Sequence, residues 1–172
     1  MMWRTQRESP YLKKGRLADI LAALQMMGAG QRPEKEIVDW AKELSRSDAP
    51  FEVDRWKEVF CEHPEFFLTY FLHGKGNQKA ALRWRYTNKL YDSVSNKEYT
   101  PEEKARLPKE LQNKLTTRPL ASDAIATLMN TAIELHSRAI EELSARRWWV
   151  PVLAACLGFI GAVIGAFWGA HK

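Results

Sequence analysis

The sequence predicts a mainly helical α+β fold, and three features carry that prediction. Apolar residues recur at helical spacing in three short blocks before residue 63. Two runs rich in aromatic and β-branched residues follow, separated by Gly74, Gly76 and Asn77, which is the pattern of a β-hairpin. A long amphipathic repeat then begins at Ser122 and leads into an uncharged run from Trp148 to Ala170.

Taken in order, Leu17, Ile20, Leu21, Leu24 and Met27 mark the first helix, which Gly28 and Gly30 are expected to stop. Pro33 suits a helix first turn, and Ile37, Trp40, Ala41 and Leu44 repeat the pattern behind it. Asp48-Ala49-Pro50 interrupts the chain. Val53, Trp56, Val59 and Phe60 mark a third helix that ends at His63-Pro64. The run from Phe66 to Leu72 reads as a strand. In Ala81–Tyr86, Leu82, Trp84 and Tyr86 alternate with Arg83 and Arg85, the pattern of a half-buried strand with its arginines outward. Residues 92–119 are polar and carry Pro101, Pro108 and Pro119. Thr100-Pro101-Glu102-Glu103 has the form of a helix cap and first turn, and Leu107, Leu111 and Leu115 suit a further short helix. From Ser122 or Asp123, Ile125, Leu128, Met129, Ala132, Leu135, His136, Ala139, Ile140 and Leu143 share one side of a long helix. That helix reads equally as a self-associating stalk and as a helix packed on its own domain.

Three short helices followed by a hairpin resemble a winged-helix domain, by element order over about residues 15–90 and not by a diagnostic motif. The resemblance implies a nucleic-acid reader only if the third helix is basic. Between Glu52 and Glu65 it holds Glu52, Asp54, Glu58, Glu62 and Glu65 against Arg55 and Lys57, so the fold is expected without major-groove reading. The chain accordingly divides into a basic arm (1–16), a winged-helix-like domain (17–90), a polar connector (91–120), an amphipathic stalk helix (121–147) and an apolar terminal helix (148–170).

The net charge of +5 is unevenly placed. It resides in the arm and in residues 73–89, where Lys75, Lys79, Arg83, Arg85 and Lys89 meet no acid. Lys75, Lys79, Arg83 and Arg85 are therefore the candidate contacts to phosphate or an anionic lipid surface. Cys61 and Cys156 are too few and too separate to form a disulfide framework, and both read as small apolar side chains.

The terminal run has the length of a membrane-crossing helix, since roughly 20 apolar residues span a bilayer core. Arg146, Arg147, Trp148 and Trp149 would mark one interface and Trp168 the other, placing the N-terminal domain in the cytoplasm and the chain, single-pass and tail-anchored, in an inner membrane. Gly161, Gly165 and Gly169 form one row of small residues, and Ala154, Gly158, Ala162 and Ala166 form another beside it. The pattern is similar to the glycine zippers of oligomeric membrane proteins, which implies that copies join along this face.

No HExxH, GxSxG, P-loop or GxGxxG motif occurs, and His63, His73, His136 and His171 are scattered without metal-ligand spacing. An enzyme is not expected, nor a cofactor. The expected function is that of a membrane effector or signalling protein. Its winged-helix-like domain would sense a protein partner or small ligand, and its terminal helix would oligomerise and disrupt the membrane. The alternatives are a membrane-tethered nucleic-acid-binding regulator and a passive recruitment anchor.

Overall fold

The computed structural model describes residues 9–47, 49–71, 78–87, 90–92, 94–112, 114–146 and 149–169, with the side chains on the last helix described through Ala162. The fold is mixed α and β, dominated by helix, with two small antiparallel sheets. A 3-10 helix at Pro10–Leu12 buries Tyr11 and leads through Gly15, in the left-handed region at φ 78°, into α1 (Arg16–Ala29). Ile20, Ala23, Leu24 and Met27 recur on one face of α1, and all are fully buried. Strand β1 (Glu34–Glu36) precedes α2 (Ile37–Ser45) and α3 (Pro50–Glu62). Strands β2 (Phe67–Phe71) and β3 (Gln78–Leu82) complete the first sheet, in the order β1-β3-β2 with antiparallel neighbours.

This sheet closes one side of the core. Phe67 stands opposite Leu82, and the Phe60 ring meets Phe67 edge-on at 5.1 Å. Trp40 is buried with its indole N–H donating to the Ala80 carbonyl at 2.9 Å, which fixes α2 to β3. Trp56 donates to Ser45 Oγ at 2.6 Å, joining α3 to the end of α2. Strand β1 consists of Glu-Lys-Glu, three half-buried residues with no apolar side chain. A hydropathy pattern does not reveal such a strand, since its backbone pairing with β3 alone makes it one.

The long helix α6 (Ser122–Arg146) lies against α1 and buries Leu128, Ala132 and Ala139. Helix α1 ends where Gly28 and Gly30 were expected to stop it, with Gly28 as its penultimate residue. A Cβ there would meet Ile125 Cγ1 at 2.9 Å, so the missing side chain is what lets α6 approach. The helix ends at Ala29, and Gly30 caps it, its N–H donating to the Met26 carbonyl at 2.9 Å. Of the two readings of α6, the packing on its own domain is present along this stripe.

The polar segment before α6 forms a second sheet, β5 (Glu98–Tyr99), β4 (Leu90–Asp92) and β6 (Leu115–Thr117) in that spatial order, with α4 (Pro101–Ala105) and α5 (Lys109–Gln112) between β5 and β6. Helix α4 starts on a capping box. The Glu103 N–H donates to Thr100 Oγ1 at 3.2 Å, and the Thr100 N–H donates to Glu103 Oε2 at 2.7 Å.

Helix α7 (Trp149–Gly169) corrects the transmembrane expectation. Among the described residues, no helix is long and apolar enough to cross a membrane. The single-pass, tail-anchored placement in an inner membrane therefore falls, with the interfacial roles assigned to Arg146, Arg147, Trp148, Trp149 and Trp168 and the membrane zipper drawn from the glycine rows. Arg147 and Trp148 lie outside the described residues, as do the side chains of Gly165, Ala166, Trp168 and Gly169.

Candidate functional site

The four cations expected on the hairpin come apart in the structure. Lys75 lies outside the described residues. Strand β3 ends at Leu82, and residues Arg83–Thr87 form a 3-10 helix. Leu82 is buried and Arg83 exposed as expected, but beyond them the change of period reverses the pattern, Arg85 turning inward and Trp84 and Tyr86 turning out. The alternating pattern assumed a strand through Tyr86, and a turn of about three residues per repeat puts every second side chain elsewhere.

Arg85 is fully buried. Its Nη1 donates to the carbonyls of Met27 at 2.9 Å and Gly30 at 2.6 Å, and its Nη2 donates to the Thr117 carbonyl at 2.6 Å. Longer contacts of 3.4 Å reach the carbonyls of Gln31 and Arg32. The last carbonyls of a helix have no partner within it and carry its negative dipole end, which is what a guanidinium satisfies. Arg85 thus caps α1 and ties the first sheet to β6 of the second. It is a clamp inside the protein and has no surface to offer phosphate.

Arg83 is exposed, with Nε donating to the Pro64 carbonyl at 3.0 Å. Lys79 is half-buried and pairs with Glu34 at 3.1 Å. Glu34 also accepts from Tyr86 Oη at 2.5 Å and from Tyr70 Oη, and the two phenols lie 3.0 Å apart. Burial would raise the Glu34 carboxyl, but the bonds from Tyr70, Tyr86 and Lys79 outweigh it and hold Glu34 below the usual carboxylate range. Burial, reinforced by Glu34, pushes the Tyr86 phenol up to about 12 and raises Tyr70 as well. Both phenols therefore remain protonated donors at neutral pH, and the cluster latches β1, β2, β3 and the 3-10 helix together. The strand that carries Tyr70 was legible in the run from Phe66 to Leu72. Glu34, on an unrecognised strand, was not.

A second cluster joins the N-terminal segment to the end of α3. Tyr11 Oη donates to Glu65 Oε1 at 2.5 Å, and His63 Nδ1–H donates to the same oxygen at 3.0 Å. The Tyr11 and His63 rings meet edge-on at 4.6 Å, and His136 Nδ1–H donates to the Tyr11 carbonyl at 2.9 Å. His63 is fully buried, its Nε2 has no hydrogen-bond partner, and burial lowers its pKa despite the neighbouring Glu65. An imidazole so enclosed orders the chain and has no open side for a substrate.

Glu52, Glu58 and Glu62 of α3 are paired with cations of the same chain. Lys13 pairs with Glu58 and, at 2.6 Å, with Glu62. Arg16, almost fully buried, reaches Glu58 at 3.1 Å and Glu62 at 3.0 Å. Arg55 pairs with Asp19 and, at 3.1 Å, with Glu52. The basic arm thus has a structural use in part, as the counterion of α3. On the outer side of α3, Phe51, Asp54 and Lys57 stay exposed.

Other features of a reaction centre are sparse. Among the described residues, no group of three His, Cys, Asp or Glu side chains is placed to hold a metal ion. A shallow depression of about 500 Å³ is lined by Ala22, Gln25, Met26, Ala29, Gly30 and Leu44, without a charged side chain. Cys61 and Cys156 are free and exposed, where their sequence context suggested buried apolar groups.

Helix α7 presents an uncovered apolar surface. Every side chain described on it is exposed, including Trp149, Val150, Leu153, Leu157, Phe159 and Ile160. The small residues Ala154, Gly158, Gly161 and Ala162 are exposed too, and a Cβ built on Gly158 or Gly161 meets no atom within 4 Å. Compared with known proteins, the chain matches no family model, no curated protein and no solved structure.

Proposed function

We propose that this chain is a non-catalytic, self-assembling interaction protein, in which a winged-helix-like domain is the recognition unit and α7 joins copies of the chain. Support for the winged-helix reading is the order α1-β1-α2-α3-β2-β3 together with the sheet order β1-β3-β2. Protein recognition is favoured over phosphate recognition because several of the described cations expected to meet a nucleic acid are engaged by groups of the protein itself. Arg85 holds carbonyls, Lys79 holds Glu34, and Lys13 and Arg16 hold α3. Nucleic-acid affinity depends on cations free to neutralise phosphates.

One observation carries the assembly: α7 is apolar throughout, and its described side chains are exposed on all sides. A helix of that composition is covered in its working state. Burial of one such side chain contributes about 1.5–3 kcal/mol. Association costs roughly 4–15 kcal/mol, so several must be covered together. A helix face several turns long does this where a single residue does not.

The test is the mass of the purified full chain in solution by light scattering over a wide concentration range, with binding of mixed-sequence duplex DNA measured beside it. A mass that is a multiple of 19.9 kDa is expected, with no DNA affinity at physiological salt. A monomer at every concentration, or a chain recovered only in detergent and monomeric there, overturns assembly. Tight DNA binding that falls steeply with salt overturns protein recognition in favour of a nucleic-acid reader.

A further inference from the structure

The chain just before α1 is a strap on the body of the domain. Residues 9–15 pass the end of α3 and lie against α6. Their regular structure is one 3-10 turn, in which the Leu12 N–H donates to the Ser9 carbonyl at 3.0 Å and the Lys13 N–H to the Pro10 carbonyl at 3.3 Å. Side chains supply the other attachments. Tyr11 Oη donates to Glu65, His136 of α6 donates to the Tyr11 carbonyl, and Lys13 pairs with Glu58 and Glu62. Gly15 follows in the left-handed region, and a Cβ built on it meets no atom within 4 Å. The backbone can therefore pivot at Gly15 without driving a side chain through its surroundings.

His63 lies beneath this strap. The Tyr11 ring meets it edge-on at 4.6 Å, and the imidazole is fully buried. With Nδ1–H donated to Glu65, neutral His63 has Nε2 as an acceptor without a partner. Protonation turns that atom into a buried N–H on a charged ring, and a buried charged donor without an acceptor is costly. Burial thus opposes a second proton, the carboxylates of Glu65 and of Glu62 on α3 favour it, and Arg16 of α1 opposes it. Burial prevails, so the ring under the strap holds a proton less well than a free imidazole. From the other elements, Arg83 after β3 bonds the neighbouring Pro64 carbonyl, and His136 of α6 reaches the strap through the Tyr11 carbonyl.

We propose that residues 9–15 are a pH-gated strap, which swings away at Gly15 when His63 takes up a proton and leaves the rest of the domain folded. Lifting the Tyr11 ring opens the imidazole to water, which supplies the acceptor that a protonated Nε2 lacks. The strapped form binds the proton more weakly than the released form, whose His63 titrates near its ordinary value of about 6.5. Strap closure is therefore fully present above about pH 6.5 and is lost as the pH falls toward the strapped value. The strap gives way before the core because it carries one turn of regular structure and takes no part in a sheet, and segments of that kind open at the lowest free energy. The inference concerns the body of the molecule and does not rest on the self-assembly proposed above.

The experiment is amide hydrogen exchange of the full-length chain at pH 7.5 and 5.5, read at single amides by mass spectrometry and corrected for the intrinsic pH dependence of exchange. Protection of the Leu12 and Lys13 amides is expected to be at least tenfold lower than that of Ala23, Leu24 and Met27 in α1. It is expected to fall by a further factor of about three to ten at the lower pH, tenfold being about the ceiling for one proton taken up near pH 6.5. His63→Gln should abolish that fall. Tyr11→Phe keeps the ring over His63 and removes the bond to Glu65, so it should lower strap protection at both pH values and keep the pH dependence. A strap protected as strongly as α1 opens only with the whole domain and overturns the proposal. A fall that persists in His63→Gln, or no fall in the parent chain, overturns it too. Should His63→Gln not fold, exchange of the His63 Cε1–H in the parent chain takes its place: a ring titration whose midpoint differs from that of the strap overturns the gate.

Discussion

Helices α6 and α7 are neighbours in sequence and both long, but they relate to the rest of the chain in opposite ways. Helix α6 alternates polar and apolar faces, and the apolar stripe through Leu128, Ala132 and Ala139 is buried against α1, where Gly28 makes room for Ile125. Helix α7 has no polar face, and the described side chains from Trp149 to Ala162 are exposed all round. The difference teaches that apolar content does not decide whether a helix joins a core. A helix docks on its own domain when its apolar residues form one stripe that a neighbour can match, and the remaining faces are content in water. An apolar helix without such a stripe has no single docking face, and it calls for a cover that the domain does not supply.

Substitutions in the body and on α7 should therefore act on different observables. The largest effect is expected from Arg85→Met, which keeps much of the side-chain volume but removes every donor from the carbonyls of Met27, Gly30 and Thr117. Each buried polar group left unpaired costs about 1–3 kcal/mol, so a loss of about 2–5 kcal/mol is expected in urea unfolding. A loss below about 1 kcal/mol would mean that water replaces the guanidinium and that the clamp is not structural. Gly28→Val comes next, since its methyls enter the α1–α6 contact at Ile125, and overpacking of this kind costs about 1–3 kcal/mol. An unchanged midpoint would show that α6 is loosely held, and would bring it closer to α7 in character.

A pH titration sharpens the same contrast. Folded His63 has its pKa lowered by burial below its ordinary value of 6.5, so between the two values the unfolded chain binds the proton and the folded one does not. Stability from this group is present above pH 6.5 and is lost as the pH falls from there toward the folded pKa. His63→Gln should flatten that slope in thermal melts between pH 7.5 and 5. Identical slopes in parent and variant would mean that His63 titrates normally and that the Tyr11–Glu65 lock does not hold it. The smallest effect is expected from Leu157→Ser on α7, within about 0.5 kcal/mol on the unfolding of the domain, as for surface sites in general. Assembly measured by light scattering should fall in the same variant. A large shift in domain stability without a change in assembly would mean that α7 packs on its own chain, and the contrast between the two helices would be lost.

Much of the helical frame was legible locally. Ile20, Leu24 and Met27, then Trp40 and Ala41, then Trp56, Val59 and Phe60 are the buried residues that their spacing indicates. Thr100 caps α4 as its Pro-Glu-Glu context suggests. The second sheet was not legible, because β4, β5 and β6 are two or three residues long and carry no period a window can detect. The strand β1 was invisible for the same reason. The membrane span was read from composition and length, and among the described residues no helix meets that requirement.

The sequence by itself determined the periodic helices, the β2 strand, the Thr100 cap and the charge bias of each segment, because these depend on residues within a few positions of one another. Only the tertiary structure decided where the charges go. Arg85 faces inward because β3 ends at Leu82 and the backbone turns, placing the guanidinium at carbonyls more than fifty residues earlier in the chain. Gly28, in the last turn of α1, lies where α6, almost a hundred residues on, comes close enough to exclude a Cβ. Lys13 and Arg16, basic in any count, neutralise Glu58 and Glu62 across forty residues of chain. Local spacing carries no information on such partners. They are chosen by the approach of elements distant in sequence, where each buried donor or charge takes the acceptor that the packing brings to it.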